Sequence, residues 1–264
     1  MKNRIDCMRK DKKHIIVYLM AGDPDIRTSE ELALTLAENG VSMLEIGIPF
    51  SDPVADGKSI QAAALRSLKN RVSCADCISL AARIRKKTGI PMVFMTYFNI
   101  VLNYGIKRFV DDSLAAGADG AIIPDLPYDE EKEFHSYAEK KNFHIINLVS
   151  PANSAERALK IVEKTRGFVY YVLLKGVTGA RKRNEADYSL INKIKKASSV
   201  PVFAGFGIST PQQAREALKK ADGVIVGSAF VDMAAGHIGG KTALLRKAAL
   251  FAKKFVKEAG NAGK

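Results

Sequence analysis

Three carboxylates stand in one short stretch of the sequence, LEIGIPFSDPVADG, at residues 44–57. Glu45 interrupts an apolar run that is typical of a buried strand, where a carboxylate is costly unless it is paired or used. Asp56 follows in a segment rich in Pro and Gly, which is typical of a loop. Two carboxylates in such different surroundings could divide acid–base chemistry, one held rigidly and the other carried by a movable loop.

Each of these acids also has a purely structural interpretation. Glu45 could belong to an internal ion pair, and Asp56 could cap the helix predicted from SIQAAALRSL (59–68), although Ser59 could serve equally well. Asp52 precedes a proline and is predicted to form a turn. Which interpretation holds depends on the elements that surround the acids.

Two later glycine-containing loops have the composition of an anion-binding cradle. AGFGISTP (204–211) ends a predicted strand, and Gly207 would allow close approach of a ligand to the backbone. IVGSAF (225–230) ends the last predicted strand and enters a helical turn through Gly227 and Ser228. Glycine-rich loops that lead into helix N-termini present N–H groups to phosphate, although glycines also make tight turns. Together the two loops predict a phosphorylated ligand.

The elements that would position these groups alternate along the chain. Short apolar runs predict strands, and the segments between them, with apolar residues three and four apart, predict helices. Eight such units predict an α/β fold, a single (β/α)8 TIM barrel with extra helices over residues 1–264, with an open doubly wound sheet as the alternative. The predicted strands are residues 14–20, 42–47, 91–96, 119–124, 144–149, 167–174, 200–205 and 222–227.

Several helix boundaries have recognisable signals. TSEEL (28–32) predicts a helix that Thr28 caps, with an acid three residues later. STPQQ places Pro211 in the first turn of another helix. Gly40 and Gly117 follow helical patterns and predict left-handed helix ends.

In a barrel, reactive residues belong at the C-terminal ends of the strands and in the loops that follow. Glu45 has such a position on the second predicted strand, and the glycine loops follow the seventh and eighth. The loop after the sixth strand, KGVTGARKRNEAD (175–187), is long and charged, with Gly176 and Gly179 as candidate hinges. It is predicted to be a lid that brings positive charge near the phosphate, or else a solvated linker.

The bulk composition narrows the class of protein. Lys and Arg exceed Asp and Glu by 41 to 28, a net charge of +13. The cations are scattered in small groups at the polar faces or ends of helical patterns, which indicates a solvated basic surface rather than specific nucleic-acid binding. No apolar run reaches the roughly 18 residues of a membrane span. The charged N-terminus has no apolar core of a secretory signal, so a cytoplasmic location is expected.

Metal or redox chemistry is not indicated by the cysteines and histidines. The CADC motif has the C-x-x-C spacing, but no second pair completes a four-thiolate site, and Cys77 is predicted to pack as a small apolar residue. The four histidines show no metal-ligand spacing. No metal site is predicted.

The motifs of the chain are recognisable as a set. LEIGIPFSDPVADG, YLMAGDPD, MTYFN, PDLP, GVTGAR, GFGIST and DGVIVGSAFV, together spanning about residues 14 to 232, closely resemble the tryptophan synthase alpha chain family. The resemblance implies a lyase of L-tryptophan biosynthesis that cleaves indole-3-glycerol phosphate, by a retro-aldol reaction, to indole and glyceraldehyde 3-phosphate. It implies no cofactor for this chain, and a complex of two alpha and two beta chains.

The resemblance also implies roles for individual residues. Glu45 would move protons at indole C3 and at the side-chain hydroxyl, and Asp56 would accept the indole N–H. The burial of a strand-borne carboxylate would raise its pKa more readily than that of a loop-borne one. The remaining implied residues are Tyr170 and Thr178 in support, Gly179, Gly207, Gly227 and Ser228 for phosphate, and Tyr18, Ile60 and Tyr97 around the indole, while Asp125 would lie toward the beta chain.

This sequence departs from the family pattern at several positions. Lys58 follows the ADG motif where the family usually has Pro, which would loosen the loop that carries Asp56. Met20 stands where Thr is common, and Leu174 and Lys175 stand where small or polar residues are common. None of these changes removes an implied catalytic group.

Three other functions compete with this one. The first is a free-standing indole-3-glycerol-phosphate lyase that releases indole without a beta chain. The second is another phosphate-binding barrel, such as an isomerase or an aldolase that uses a lysine Schiff base. The third is a basic binding protein on a barrel scaffold, whose affinity for DNA or RNA would fall steeply with salt.

Overall fold

A computed structural model of the protein describes residues 2–173 and 188–262. In this part of the chain, nine strands form one sheet in the order β5-β4-β3-β2-β1-β9-β8-β7-β6, and every neighbouring pair is parallel. The strands are β1 His14–Met20, β2 Met43–Gly47, β3 Met92–Met95, β4 Gly120–Ile122, β5 His144–Ile146, β6 Leu148–Val149, β7 Val169–Val172, β8 Val202–Gly205 and β9 Gly223–Val226.

The two strands at the ends of this order, β5 and β6, follow each other directly in the chain. Only Asn147 separates them, so the predicted strand 144–149 is one strand with an interruption. Its first half pairs with β4 and its second half with β7, and the Asn147 carbonyl accepts a hydrogen bond from Tyr170 N–H at 3.0 Å. The two ends of the sheet therefore meet and the sheet closes into a barrel, which confirms the predicted TIM barrel and excludes the open sheet.

Helices surround the barrel in the intervals between strands. The described chain contains a short 3₁₀ helix, Ile5–Cys7, and eleven α-helices. They are α1 Ile26–Glu38, α2 Lys58–Lys69, α3 Cys74–Arg85, α4 Phe98–Tyr104, α5 Ile106–Ala115, α6 Lys132–Lys140, α7 Ala155–Lys164, α8 Ile191–Ala197, α9 Pro211–Leu218, α10 Ser228–Ala235 and α11 Lys241–Ala262.

Two apolar layers hold this arrangement together. Alternate residues of each strand point to opposite faces of the sheet. On β2, Leu44 and Ile46 join the cluster between strands and helices, whereas Met43 joins the cluster inside the barrel. Ile5 of the 3₁₀ helix is fully buried in the inner cluster. Because both faces are covered, the strands appear in the sequence as nearly continuous apolar runs.

The structure confirms three of the predicted helix boundaries and contradicts one. The prediction that Thr28 caps α1 is wrong: the N-cap is Asp25, three residues earlier, and its carboxylate accepts from Thr28 N–H at 2.8 Å. Pro211 occupies the first turn of α9, as predicted, and Thr210 and Gln213 form a capping box at the start of this helix. Gly40 and Gly117 have φ of +87° and +82°, which confirms the two left-handed ends.

The structure also bears on the predictions about Cys77, metal sites and membrane-spanning helices. Cys77 is completely buried, which confirms its prediction as a packing residue. Within the described residues, no group of His, Cys, Asp and Glu side chains is arranged to hold a metal ion. None of the helices in this part of the chain has the length and apolar character that a bilayer crossing requires.

Candidate active site

Glu45 lies near the C-terminal end of β2, inside the barrel. Its register partners are Tyr18 on β1 and Val93 on β3, and only 3% of its surface is exposed. Its Oε2 atom is buried and has no hydrogen-bond partner among the described residues. Burial, with a smaller contribution from the charge of Asp56, raises the pKa of Glu45 to about 8. Among the described residues the carboxyl therefore has no ion-pair partner and its Oε2 atom has no hydrogen-bond partner, and the raised pKa keeps it protonated at neutral pH.

Asp56 lies on the loop between β2 and α2 and is half-buried. Burial raises its pKa to about 6, although a hydrogen bond from the Tyr97 hydroxyl opposes the shift. The same hydroxyl accepts from Ala55 N–H at 3.1 Å, and the Tyr97 ring lies 5.3 Å from that of Phe50. The Tyr97 hydroxyl therefore holds the loop through two hydrogen bonds, one with Ala55 N–H and one with the Asp56 carboxylate.

The two carboxyls face one cavity of about 270 Å³ at the C-terminal end of the barrel. Eight of the residues implied by the family resemblance line it, whereas Tyr97 lies behind Asp56, and Thr178 and Gly179 fall outside the described residues. The lining consists of Tyr18, Glu45, Asp56, Gly57, Ile60, Met95, Tyr170, Phe206, Gly207, Ile208, Ile225, Gly227 and Ser228.

Two glycines make room for the tyrosines of this cavity. A Cβ on Gly47 would overlap the Tyr18 hydroxyl, and a Cβ on Gly205 would overlap the Tyr170 hydroxyl. Each tyrosine thus lies across the end of the neighbouring strand. The packing role of Gly47 was not predicted, because a glycine at a strand end can equally mark a bulge or a bend.

Sequence reasoning did not identify five of the lining residues. Met95 is the register partner of Gly47, two residues beyond the position opposite Glu45, so strand alternation would have found it once the register was known. Phe206 has φ of +67°, which is rare for a bulky residue and is not visible in the sequence. The other three lining residues are Gly57, Ile208 and Ile225.

The glycine loops meet at one side of the cavity. Gly207 has φ of +82°, a backbone conformation that favours glycine. Gly227 precedes α10, whose first residue is Ser228, and both line the cavity. The first N–H groups of a helix have no partner within the helix and carry its positive dipole end. This side of the cavity therefore suits an anion such as phosphate.

Lys58 occupies the first position of α2, directly after the Asp56 loop. Gly57 is the N-cap and provides no side-chain cap, with an extended backbone at φ −74° and ψ 166°. Neither Asp56 nor Ser59 caps this helix, contrary to the two structural alternatives. The far end of α2 is better anchored, since Arg66 pairs with Asp23 through two contacts of 2.7 and 2.8 Å.

We expect Lys58→Pro to stabilise the protein by about 0.4–1 kcal/mol, because proline suits the first helical position and restricts the unfolded chain. The extended backbone of Gly57 is the one that a following proline requires. Lys58→Ala, which removes the charged side chain from the positive end of the helix without restricting the backbone, is the control. Urea denaturation measures both variants, and a proline variant less stable than the alanine variant would contradict the expectation.

Known proteins resemble this chain over nearly its whole length. Residues 5–260 match the family model described as "Tryptophan synthase alpha chain". The tryptophan synthase alpha chain of Caldanaerobacter subterraneus subsp. tengcongensis is 45% identical over 231 residues, covering 87% of this chain and 88% of the relative. That of Dehalococcoides mccartyi is 43% identical over 232 residues, covering 88% and 91%. The crystal structure of the tryptophan synthase alpha chain from Legionella pneumophila subsp. pneumophila superposes with a TM-score of 0.87 at 31% identity, covering 99% and 98% of the two chains.

Proposed function

This chain belongs to the tryptophan synthase alpha chain family, and we propose that it cleaves indole-3-glycerol phosphate to indole and glyceraldehyde 3-phosphate. The observation that carries the proposal is the pair of carboxyls, Glu45 and Asp56, in one cavity with pKa values of about 8 and about 6. At neutral pH the first is an acid and the second a base. A retro-aldol cleavage at an indole ring needs one of each.

Glu45 performs the proton transfers. Its protonated carboxyl gives a proton to indole C3, which makes the ring electron-deficient. The hydroxyl on the carbon attached to C3 then gives its proton to the Glu45 carboxylate while the carbon–carbon bond breaks and its electron pair returns to the ring. An aldehyde and indole leave, and Glu45 is protonated again, so the proton count balances. The raised pKa of Glu45 suits both directions of transfer.

Asp56 acts at the other end of the ring. Protonation at C3 places positive charge on the ring nitrogen, and a carboxylate that accepts its N–H stabilises that charge. The hydrogen bond from Tyr97 keeps the Asp56 carboxylate oriented and opposes the rise in its pKa that burial causes. The apolar lining residues Ile60 and Met95 provide a surface on which the indole can pack.

The phosphate binds at the opposite side of the cavity. Gly207, Gly227 and Ser228 offer backbone N–H groups, and α10 adds its positive dipole end. A phosphate held there and an indole near Asp56 leave the reacting carbon beside Glu45. We assign Thr178 and Gly179, which lie outside the described residues, to loop closure and phosphate binding only on the family resemblance.

We expect indole release to follow a bell-shaped pH profile with a maximum near pH 7. The kcat/KM rises as Asp56 ionises through about pH 6 and falls as Glu45 loses its proton through about pH 8. The two values belong to an interacting pair, because the charge of Asp56 helps to raise the pKa of Glu45. Indole release from indole-3-glycerol phosphate between pH 5 and 9 measures the profile.

Asp56→Asn is the control for this profile. The acidic limb should disappear, and the basic limb should move to lower pH because the repulsion on Glu45 is gone. Absence of indole release by the wild-type protein at every pH would sink the proposed function. A release rate that does not change with pH would instead overturn the assigned roles.

We further propose that a tryptophan synthase beta chain is the partner, in a complex of two alpha and two beta chains. Val54, two residues before Asp56, is 78% exposed, and Leu102 on α4 is also exposed. Asp125, near the same end of the barrel, accepts from Phe98 N–H at 3.0 Å and so orders the start of α4. An exposed apolar side chain on the loop that carries Asp56 would let a partner influence that carboxylate.

Indole release with and without an added beta chain tests the partnership. Strong acceleration by the beta chain is expected for an alpha chain of the complex. Equally fast release by the chain alone would identify the free-standing lyase instead, with the same residues in a loop already poised for catalysis.

A further inference from the structure

The hydroxyl of Tyr18 is a buried donor that the proton transfers leave unused. Tyr18 is 5% exposed, and within the described chain its hydroxyl donates only to the Met20 thioether, over 3.8 Å. A thioether is a weak acceptor. A buried hydroxyl without a strong partner is unfavourable unless a ligand supplies one. Tyr18 lines the cavity, so its donor capacity is available to a bound substrate.

The strand that carries Tyr18 lies between the two functional parts of the cavity. β1 has β2, with Glu45, on one side and β9, which leads to Gly227, on the other. Tyr18 is the direct register partner of Glu45, and its own Cβ lies 3.6 Å from the place that a Cβ on Gly227 would occupy. Tyr18 thus faces the part of a substrate that joins a phosphate at the glycines to a ring beside Glu45.

We propose that Tyr18 donates a hydrogen bond to the substrate oxygen that becomes the aldehyde oxygen. The inference rests on the proposed function. In that reaction the oxygen is bonded to the carbon attached to indole C3, which lies between the ring and the phosphate. It gains negative charge as its proton passes to Glu45, and a donor placed beforehand stabilises that charge more in the transition state than in the ground state.

Two further features fit this role. Burial, together with the charges of Asp56 and Glu45, holds the pKa of Tyr18 well above its usual range, so the phenol keeps its proton as a donor. The position of the hydroxyl is also restricted, since it lies against Gly47 where a Cβ would overlap it. The donor is therefore fixed before the substrate binds, which is what electrostatic stabilisation requires.

Tyr18→Phe tests the inference, because it removes the hydroxyl and keeps the ring. We expect kcat for indole release to fall about 10- to 100-fold with KM changed less than about twofold, the pattern of a contact made mainly in the transition state. A competitive analogue with the same ring and phosphate, but without the hydroxyl on the carbon next to the ring, should bind both proteins equally. Tyr137→Phe is the matched control, since its hydroxyl donates to Asp111 on the outer helices at 2.8 Å.

The outcomes separate this inference from the proposed function. A Tyr18→Phe protein with the wild-type kcat overturns the inference and leaves the proposed function intact. Equal weakening of substrate and analogue also overturns it, because ring packing alone would then account for the loss. Absence of indole release by the wild-type protein removes the proposed function and this inference with it.

Discussion

Replacing Glu45 by Gln is expected to lower indole release at least about 100-fold, the usual contribution of a general acid–base group. The same change should make the protein more stable near pH 8. Gln keeps the shape of the side chain but cannot give a proton to indole C3 or take one from the hydroxyl. It also carries no charge, whereas Glu45 must become a buried carboxylate whose Oε2 has no hydrogen-bond partner in the described part of the chain as the pH rises.

The sign of the stability effect follows from the pKa of Glu45. Its folded-state pKa of about 8 lies above the ordinary value of 4.5 for a glutamate. The folded protein therefore holds this proton more tightly than the unfolded chain, so stability is full below the unfolded pKa and is lost as the pH rises toward the folded pKa. Between pH 5 and pH 8 the wild-type protein should lose on the order of 3 kcal/mol relative to Glu45→Gln.

Urea denaturation of both proteins at pH 5 and pH 8, together with indole release, measures the two effects. Glu163→Gln, at an exposed position, is the matched control for the substitution itself. A stability difference between wild type and Glu45→Gln that does not change with pH would show that Glu45 is not an unpaired buried acid. Undiminished indole release would remove it from the mechanism.

Glu45 also shows why part of the site could be predicted from the sequence. An acid in an apolar run has few structural roles, and the alternation of strands and helices predicts which end of the barrel it occupies. The bounds of β1 were predicted without error, since an uninterrupted apolar run, residues 15–20, follows directly after His14. Strong, local and periodic signals of this kind depend little on distant parts of the chain.

The missed features depend on contacts between distant residues. The helix α4 was not predicted because its seven residues have no side-chain cap of their own, and Asp125 caps it from 27 residues away. The hydroxyl of Tyr97 holds the loop at Ala55, 42 residues away in the chain, a contact that no local sequence pattern indicates. The prediction of Thr28 as the N-cap was wrong for a different reason. Asp25 is an equally good capping residue, and it lies directly before the helix.

A second large effect is expected at the opposite end of the barrel, where Asp119→Ala should cost about 3–5 kcal/mol of stability. Asp119 precedes β4 and is 2% exposed. One carboxylate oxygen accepts from the Arg4 side chain at 3.0 Å, and the other accepts from Met92 N–H at 2.9 Å. Arg85 approaches that second oxygen at 3.3 Å with only 15% of its side chain exposed.

Removing the carboxylate leaves a buried N–H without a partner and a largely buried guanidinium without its counter-ion. Such orphaned groups are costly because water cannot replace the lost contacts. Asp119→Asn should be milder, since an amide oxygen can still accept from Met92. Asp222, in the third ADG sequence of the chain, makes equivalent contacts: it accepts from Val202 N–H at 2.9 Å and pairs with Lys195 at 2.7 Å.

Urea denaturation of Asp119→Ala, Asp119→Asn and Asp222→Ala compares these two positions, with kcat and KM of the folded variants as the functional readout. Both aspartates precede their strands, whereas the cavity lies where the strands end. Stability should therefore fall while kcat and KM stay near the wild-type values. A loss below about 1 kcal/mol for Asp119→Ala would mean that its charge contacts barely exceed the cost of burying them. A large change in kcat would mean that packing in the barrel transmits strain from this end to Glu45.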